Sequence, residues 1–288
     1  MIFIYSGEVR SFENLRYHVD LINSVSEKHT IVGSFWHVDP EMTHLVLDLA
    51  DQFANVYFEF LEKPPLQSND EDLQDLSNES YGWRVHSQFQ SVANSISYAQ
   101  NLLSDFAKQN CVRIRPDLLI NRRLLRSITK KNVESNEVYV PHVGHYIGVN
   151  DMFWLTSGNN MAYFLSLPQF TREFIVRKGG LNIPEIIVRE FMTSLDLDIS
   201  YDIFNLPSIL VRGSTGKYHT HTKFYTNLSA HLSAANVRKF NNKLYFQGRL
   251  ERFITKLRQR YLNSVMFDFE MNKVCREINS RHYFSRQF

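Results

Sequence analysis

Cysteine is almost missing from this 288-residue chain, which has only Cys111 and Cys275. Two thiols cannot build the disulfide framework of a small secreted scaffold, and this usage points to a reducing compartment. Long apolar runs are missing as well. The apolar start Met1–Tyr5 is interrupted by Ser6-Gly7-Glu8, and no stretch approaches the ~18 uncharged apolar residues of a membrane helix. The expectation is a protein that stays in the cytoplasm. The sequence also lacks the GxGxxG dinucleotide turn, the Walker A lysine loop, the GxSxG nucleophile elbow, HExxH and any CxxC pair. Dinucleotide enzymes, P-loop NTPases, serine hydrolases and zinc enzymes are disfavoured accordingly. No internal repeat or low-complexity tract is present.

What is there is ordinary globular composition: 43% hydrophobic and 22% charged residues. Aromatics reach 14%, enough large side chains for a sizeable core. The net charge of +2 hides a split. Residues 1–215 hold 18 Lys+Arg against 26 Asp+Glu, giving −8, and residues 216–288 hold 14 against 4, giving +10. An acidic body therefore carries a basic extension suited to an anionic partner: nucleic acid, a membrane surface or the body itself.

Hydrophobic periodicity predicts alternating strands and helices. Ile2–Tyr5, Thr30–Trp36 and Val56–Phe60 read as strands. Between them lie a helix carrying Leu15, Val19, Ile22 and Val25, and a second opened by Pro40. This order implies a parallel sheet. Residues 62–80, with two prolines and many acids, read as a long surface loop. Val85, Phe89, Val92, Ile96, Leu103 and Phe106 predict a helix over 84–108. Cys111–Arg115 reads as a central strand. A short helix near 124–128, strands at 138–140, 152–155 and 209–211, and a helix from Pro184 to Leu195 follow. Phe246 to Val265 carry an apolar stripe at helical spacing, decorated by Arg249, Arg252, Lys256 and Arg260. The domain expectation is a body over 1–215 and a basic helical extension over 216–288.

Arg113-Ile114-Arg115-Pro116-Asp117 falls where a buried strand meets its loop, and ligands of open α/β sheets bind at such carboxyl edges. Two arginines suit a phosphate or diphosphate, and an Asp can hold a divalent metal or a sugar hydroxyl. An ion-paired strand end accounts for the same residues equally well. Pro141–Leu155 holds His142, His145, Asn150 and Asp151 around Gly144 and Gly148; as loop residues the histidines are more ordinary than as metal ligands. Glu185 follows Pro184 at a helix start, where a carboxylate simply complements the helix dipole. Ser6, Gly7 and Arg10 lie in the first strand-to-helix loop, a common nucleotide position. Arg212 to Lys217 reads as a phosphate loop or as a plain linker.

Taken in order, SGEVRSF, SFW, QFQSVANSI, RIRPDLLI, GVNDMFWLTSGNNMAYF and PEIIVREFM resemble a group of bacterial glycosyltransferase-like proteins from surface-polysaccharide gene clusters, over about residues 1–212. The resemblance implies a GT-A-like α/β fold: a Rossmann-type, mostly parallel sheet flanked by helices. It implies sugar transfer from a nucleotide-sugar to a glycan or lipid-linked acceptor. In that fold a DxD motif holds Mn or Mg on the donor diphosphate. Here the place reads Arg115-Pro116-Asp117, so Asp117 alone remains as a metal ligand, with Arg113 and Arg115 left to neutralise the diphosphate. The resemblance puts Ser6, Gly7, Arg10 and Arg212 near the nucleotide and Asn150 and Asp151 near the sugar. Asp151 and Glu185 become candidate bases toward the acceptor hydroxyl, Glu185 first.

The competing expectation is a non-catalytic nucleotide- or phosphoglycan-binding protein whose basic tail docks on a partner. Nucleic-acid binding ranks below both, because no reader motif accompanies the basic charge. For residues 246–265 an interfacial helix at the inner membrane face competes with a stripe packed on the acidic body.

Overall fold

A computed structural model describes residues 1–37, 39–63, 81–118, 120, 122–141, 149, 151–177, 184–202, 210–211 and 218–219. Its centre is a seven-stranded sheet. In chain order the strands are β1 (Ile2–Gly7), β2 (Thr30–Trp36), β3 (Val56–Leu61), β4 (Asn110–Ile114), β5 (Glu137–Pro141), β6 (Phe153–Ser157) and β7 (Asp198–Asp202), arranged β3-β2-β1-β4-β6-β5-β7. Six run parallel, and β6 runs antiparallel to both neighbours, β4 and β5. This is the mostly parallel α/β class that the sequence predicts. The sequence pattern does not mark which strand is reversed, because hydropathy sets which residues are buried but carries no strand direction. A small separate pair, β8 (Leu210–Val211) and β9 (Tyr218–His219), pairs antiparallel.

Seven helices are described: α1 (Phe12–Val25), α2 (Pro40–Asp51), α3 (Tyr81–Leu102), α4 (Arg122–Thr129), α5 (Gly158–Tyr163), α6 (Leu167–Arg177) and α7 (Pro184–Ser194). Their starts follow local chemistry. The Ser11 hydroxyl accepts from Asn14 N–H at 3.2 Å, and the Asp39 carboxylate accepts from Glu41 N–H beside Pro40. Such caps satisfy amides that the first helical turn leaves orphaned. The helix expected over 84–108 ends at Leu102, and Phe106–Lys108 form a separate single turn. Phe106 N–H bonds the Leu103 carbonyl, which closes a turn and takes that amide out of the helical ladder. Helices α5 and α6 and strand β7 lie outside the elements predicted from the sequence, although Leu167, Phe174 and Ile175 of α6 keep helical spacing.

Strand alternation divides the core. Phe3, Tyr5, Val112 and Ile114 pack under α1, α2 and α4, with Leu15, Ile22, Val46, Leu49 and Leu125. Ile2, Ile4 and Cys111 pack under α3, α6 and α7, with Phe89, Val92, Ile96, Phe174 and Phe191. Burying both faces is what a parallel sheet requires. Gly158 lets the start of α5 approach the 106–108 turn, since a β-carbon there would lie 2.0 Å from the Phe106 carbonyl oxygen. β4 is the middle strand of the seven, and this places the Arg113–Asp117 segment at the centre of the carboxyl edge. The basic extension lies outside the described residues, apart from Tyr218–His219.

Candidate active site

β1 and β4 pair in parallel, with Tyr5 beside Ile114, so the loops that leave them share one edge. Gly7 ends β1 at φ +114°, a backbone state open to glycine and costly for other residues. Its N–H donates to the Ser91 hydroxyl of α3 at 2.6 Å. The neighbouring loop is pinned from α1: the Asn14 amide donates to the carbonyls of Pro116 at 2.7 Å and Leu118 at 3.4 Å. Arg115 N–H donates to the Met152 carbonyl at 3.0 Å, joining this loop to the start of β6.

Arg113 is the deepest charge at this edge, with 0% exposure. Its Nε donates to the Ser6 hydroxyl at 3.1 Å, its Nη1 donates to the Asp151 backbone carbonyl, and its guanidinium stacks 4.9 Å from the Trp154 ring centroid. Its Nη2 is buried without a hydrogen-bond partner. Burial pulls its pKa down to about 9; Asp151 and Asp117 oppose the fall and Arg115 adds to it.

Arg115 is placed differently. Its Nε and Nη2 grip both oxygens of Asp117 at 3.0 and 2.7 Å, and its Nη1 faces an Asp151 carboxylate oxygen at 3.6 Å. Burial alone would lower its pKa, but the two carboxylates outweigh burial and raise it, with a further contribution from Glu185. Gln88 of α3 donates its amide to the same Asp151 oxygen. Toward solvent the chain of charges continues. Arg10 lies 3.5 Å from Asp117 and 3.6 Å from Glu8, and Lys63 at the end of β3 lies 3.0 Å from Glu8.

Ser6, Gly7, Arg10, Arg113, Arg115, Asp117 and Asp151 therefore meet at one edge. Glu185 opens α7 half-buried, its backbone carbonyl accepting from Val149 N–H at 2.9 Å, and its charge acts on Arg115. Arg212, Asn150, His142 and His145 lie outside the described residues. The ion-paired reading of the Arg113–Asp117 segment fits Arg115, which is fully engaged with carboxylates. Among the described residues Arg113 pairs with no carboxylate and meets a hydroxyl, a carbonyl and a ring.

Sequence reasoning missed Asn14, Gln88, Ser91 and Lys63. Gln88, Ser91 and Ser95 lie at i, i+3 and i+7, one face of α3, and this polar stripe among apolar positions was the available signal. The Ser91 hydroxyl donates to the Ser34 carbonyl at 3.3 Å, and Ser95 Oγ accepts from Ser34 N–H at 3.3 Å. The stripe thus fastens α3 to the carboxyl ends of β1 and β2.

The donor set for a divalent metal is thin. Among the described residues no group of three or more His, Cys, Asp or Glu side chains is placed to hold one. Both oxygens of Asp117 face a guanidinium already. A divalent ion at these carboxylates would have to displace the Arg115 guanidinium that pairs with both, with Arg10 also close to Asp117. Among the described residues the two bridged carboxylates do not fit a divalent ion.

No protein-family model and no curated protein sequence matches this chain. Among solved structures it is similar to the galactosyltransferase LgtC in complex with donor and acceptor sugar analogues. Identity there is 10% over 70% of this chain and 73% of that one, with a TM-score of 0.46. It is also similar to mouse xyloside xylosyltransferase 1, at 10% identity over 71% and 84% and a TM-score of 0.42. A third is a putative glucose-1-phosphate thymidylyltransferase from Bacillus anthracis, at 11% identity over 85% and 98% and a TM-score of 0.37. The functional argument below rests on the site itself.

Proposed function

We propose that this chain is a glycosyltransferase that moves a sugar from a nucleotide-sugar to a hydroxyl acceptor. The observation that carries the reading is the meeting of cations and carboxylates at the carboxyl edge of β1 and β4. A diphosphate leaving group needs positive charge, and sugar and acceptor hydroxyls need carboxylates. Arg10, the most solvent-reaching arginine of the network at 38% side-chain exposure, meets the diphosphate. Arg115 supports it from beneath, and Ser6 and Gly7 line the nucleotide loop.

The base is Glu185. Asp151 is 6% exposed, and its carboxylate is already held by Gln88 and Arg115, a state that favours orienting a sugar over taking a proton. In a direct displacement the acceptor oxygen bonds the anomeric carbon, and the bond from that carbon to the diphosphate breaks. The leaving oxygen keeps the electron pair, and the acceptor proton passes to Glu185. Asn150 and Arg212 complete the proposed sugar and nucleotide contacts.

The acceptor class we propose is a glycan or lipid-linked carrier of surface-polysaccharide synthesis, with the enzyme at the inner membrane face. Supporting this, Arg122, Arg126 and Lys130 are exposed at four-residue spacing, and no acid occurs between Leu118 and Val133. Among the described residues no helix is long and apolar enough to cross a membrane.

The test is a thermal-melt panel of UDP, GDP, CDP, ADP and dTDP and their sugars, followed by transfer assays with each stabilising donor. A true ligand at ~100 times its Kd stabilises the fold by ~2.7 kcal/mol. One nucleotide series should raise Tm and its sugar should turn over. The engagement of Asp117 and Asp151 in ion pairs favours a second reading, a binding protein without turnover. Stabilisation with no transfer or hydrolysis of any sugar selects that reading, and no stabilisation by any nucleotide removes transfer and leaves only phosphoglycan binding.

A further inference from the structure

Asp117 and Asp151 come from adjacent segments of the edge, one from the turn after β4 and the other from the residues before β6. Both are buried, at 2% and 6% exposure. Two neighbouring carboxylates removed from water need a cation between them. The Arg115 guanidinium fills that position with three nitrogens: Nε and Nη2 toward Asp117, and Nη1 toward Asp151. The positive charge between these two carboxylates is thus supplied by the chain itself.

The bridge is fixed from every side. Pro116 restricts the backbone between the two partners, Leu118 N–H closes the turn onto the Arg115 carbonyl at 3.1 Å, and Asn14 holds the Pro116 carbonyl. Arg115 N–H is bonded across to Met152, the neighbour of Asp151. Arg113 lies behind this pair and Arg10 in front, both within the same charge network. A single guanidinium carries half the charge of a divalent ion, and these two arginines supply the remainder.

We propose that Arg115 is a resident cation that replaces a divalent metal, so that the site takes a diphosphate without metal. The diphosphate part of this inference rests on the glycosyl-transfer reading; the cation part rests on the side-chain geometry alone. Any donor then meets a site whose positive charge is covalently part of the chain, and transfer is insensitive to chelators.

The experiment is a Mn²⁺ titration of the full chain, read by loss of the free-ion EPR signal, for wild type, R115D, R115A and the R115D/D117N double variant. Wild type should leave the Mn²⁺ signal unchanged. R115D, which exchanges the guanidinium for a third carboxylate, should take up one Mn²⁺ per chain and lose it again in the double variant. R115A keeps the test alive if R115D does not fold, because it frees the same two carboxylates; weaker but measurable Mn²⁺ uptake is expected. Stoichiometric Mn²⁺ uptake by wild type that D117N abolishes overturns the proposal, and so does a folded R115D or R115A that takes up none.

In parallel, calorimetric titration with UDP, GDP, CDP, ADP and dTDP is run in EDTA and in Mn²⁺. The binding nucleotide should keep the same affinity in both, and R115A should weaken it about tenfold or more. Affinity that depends on Mn²⁺ overturns the metal-free claim. If none of the five binds under either condition, the transfer reading fails, while the Mn²⁺ titration still decides whether Arg115 occupies a cation's place.

Discussion

The floor and the rim of the site use the same residue types for opposite ends. On the floor Arg113, Asp117 and Asp151 are buried, and each polar contact is made to a fixed neighbour. On the rim Glu8, Arg10 and Lys63 have side-chain exposures of 31%, 38% and 41%. A buried cation is expensive, and its partners must stay in place; an exposed pair is nearly free to open. The contrast shows that a charge at a strand end is not by itself a ligand contact. Depth separates the charges that hold the edge together from those left within reach of solvent.

The largest effect should come from the carboxylate proposed as the base. Glu185→Gln should keep the wild-type melting temperature and lose ~10²–10⁴-fold in transfer rate, the usual contribution of a general base. Steady-state kinetics beside a thermal melt check this. A falling Tm with intact turnover would move Glu185 to the structural side of the contrast.

Arg113→Met sharpens the floor. Its loss leaves the Ser6 hydroxyl and the Asp151 backbone carbonyl buried without their donor, a cost of about 1–3 kcal/mol for such a group, so the denaturation midpoint should drop clearly. Methionine keeps much of the stem against Trp154 and isolates the loss of the guanidinium. An unchanged midpoint would show that burying this cation was itself so costly that its contacts barely offset it.

Arg10→Ala does the reverse on the rim. Its ion pairs are long, its own side chain is exposed and Asp117 keeps Arg115, so stability should change by no more than ~1 kcal/mol. Diphosphate affinity should fall by about 1.5–3 kcal/mol, the range for a charge-assisted bond. Calorimetry with the stabilising nucleotide reads both the affinity and its salt dependence. An unchanged affinity would exclude Arg10 from the site.

Legibility in the sequence follows the same division. β2 and α2 fall where periodicity and Pro40 put them, because both depend on local pattern and on burial of one continuous face. Arg113, Arg115 and Asp117 are visible as candidates, since a charged run ending an apolar strand is conspicuous. Their roles are not, because depth depends on what packs above: α3, Trp154 and the Asp151 backbone, all distant in sequence. Gln88 and Ser91 were hidden for a related reason. A small polar residue in an amphipathic helix looks like part of the solvent face until the strand ends beneath it are known. The reversed β6 was invisible because antiparallel and parallel strands with two buried faces have the same hydropathy.

Acid should weaken the floor before the rim. His18 of α1 is fully buried, tilted against the Tyr5 ring at 5.7 Å, below the 115–118 turn. Burial pushes its pKa down to about 3, against partial opposition from the Leu118 backbone and Asp117. The unfolded chain binds a proton near pH 6.5 that the folded chain refuses until about 3. Stability is therefore unaffected above 6.5 and is lost as pH falls through this window. At pH 5 the loss is ~2 kcal/mol, from about 1.5 pH units at 1.36 kcal/mol each. Denaturation midpoints from pH 7 to 4 should slope downward, and His18→Gln should flatten that slope. Equal slopes in both proteins would mean that carboxylates elsewhere dominate the acid limb.

The smallest effect belongs to the outermost pair. Lys63 and Glu8 meet at 3.0 Å, and the lysine side chain is 41% exposed. Burial would raise the Glu8 pKa, but the Lys63 contact and then Arg10 outweigh it and hold the carboxyl below the usual range. Exposed pairs of this kind contribute about 0–1 kcal/mol and are screened by salt. Lys63→Met should therefore leave the midpoint within ~1 kcal/mol of wild type. It also removes one of the two cations that compete for Glu8, so Arg10 is drawn from Asp117 toward Glu8. Nucleotide affinity should then fall modestly at low salt and return to the wild-type value as salt rises. A midpoint shift as large as that of Arg113→Met would mean that the rim is built like the floor, and the distinction by depth would fail.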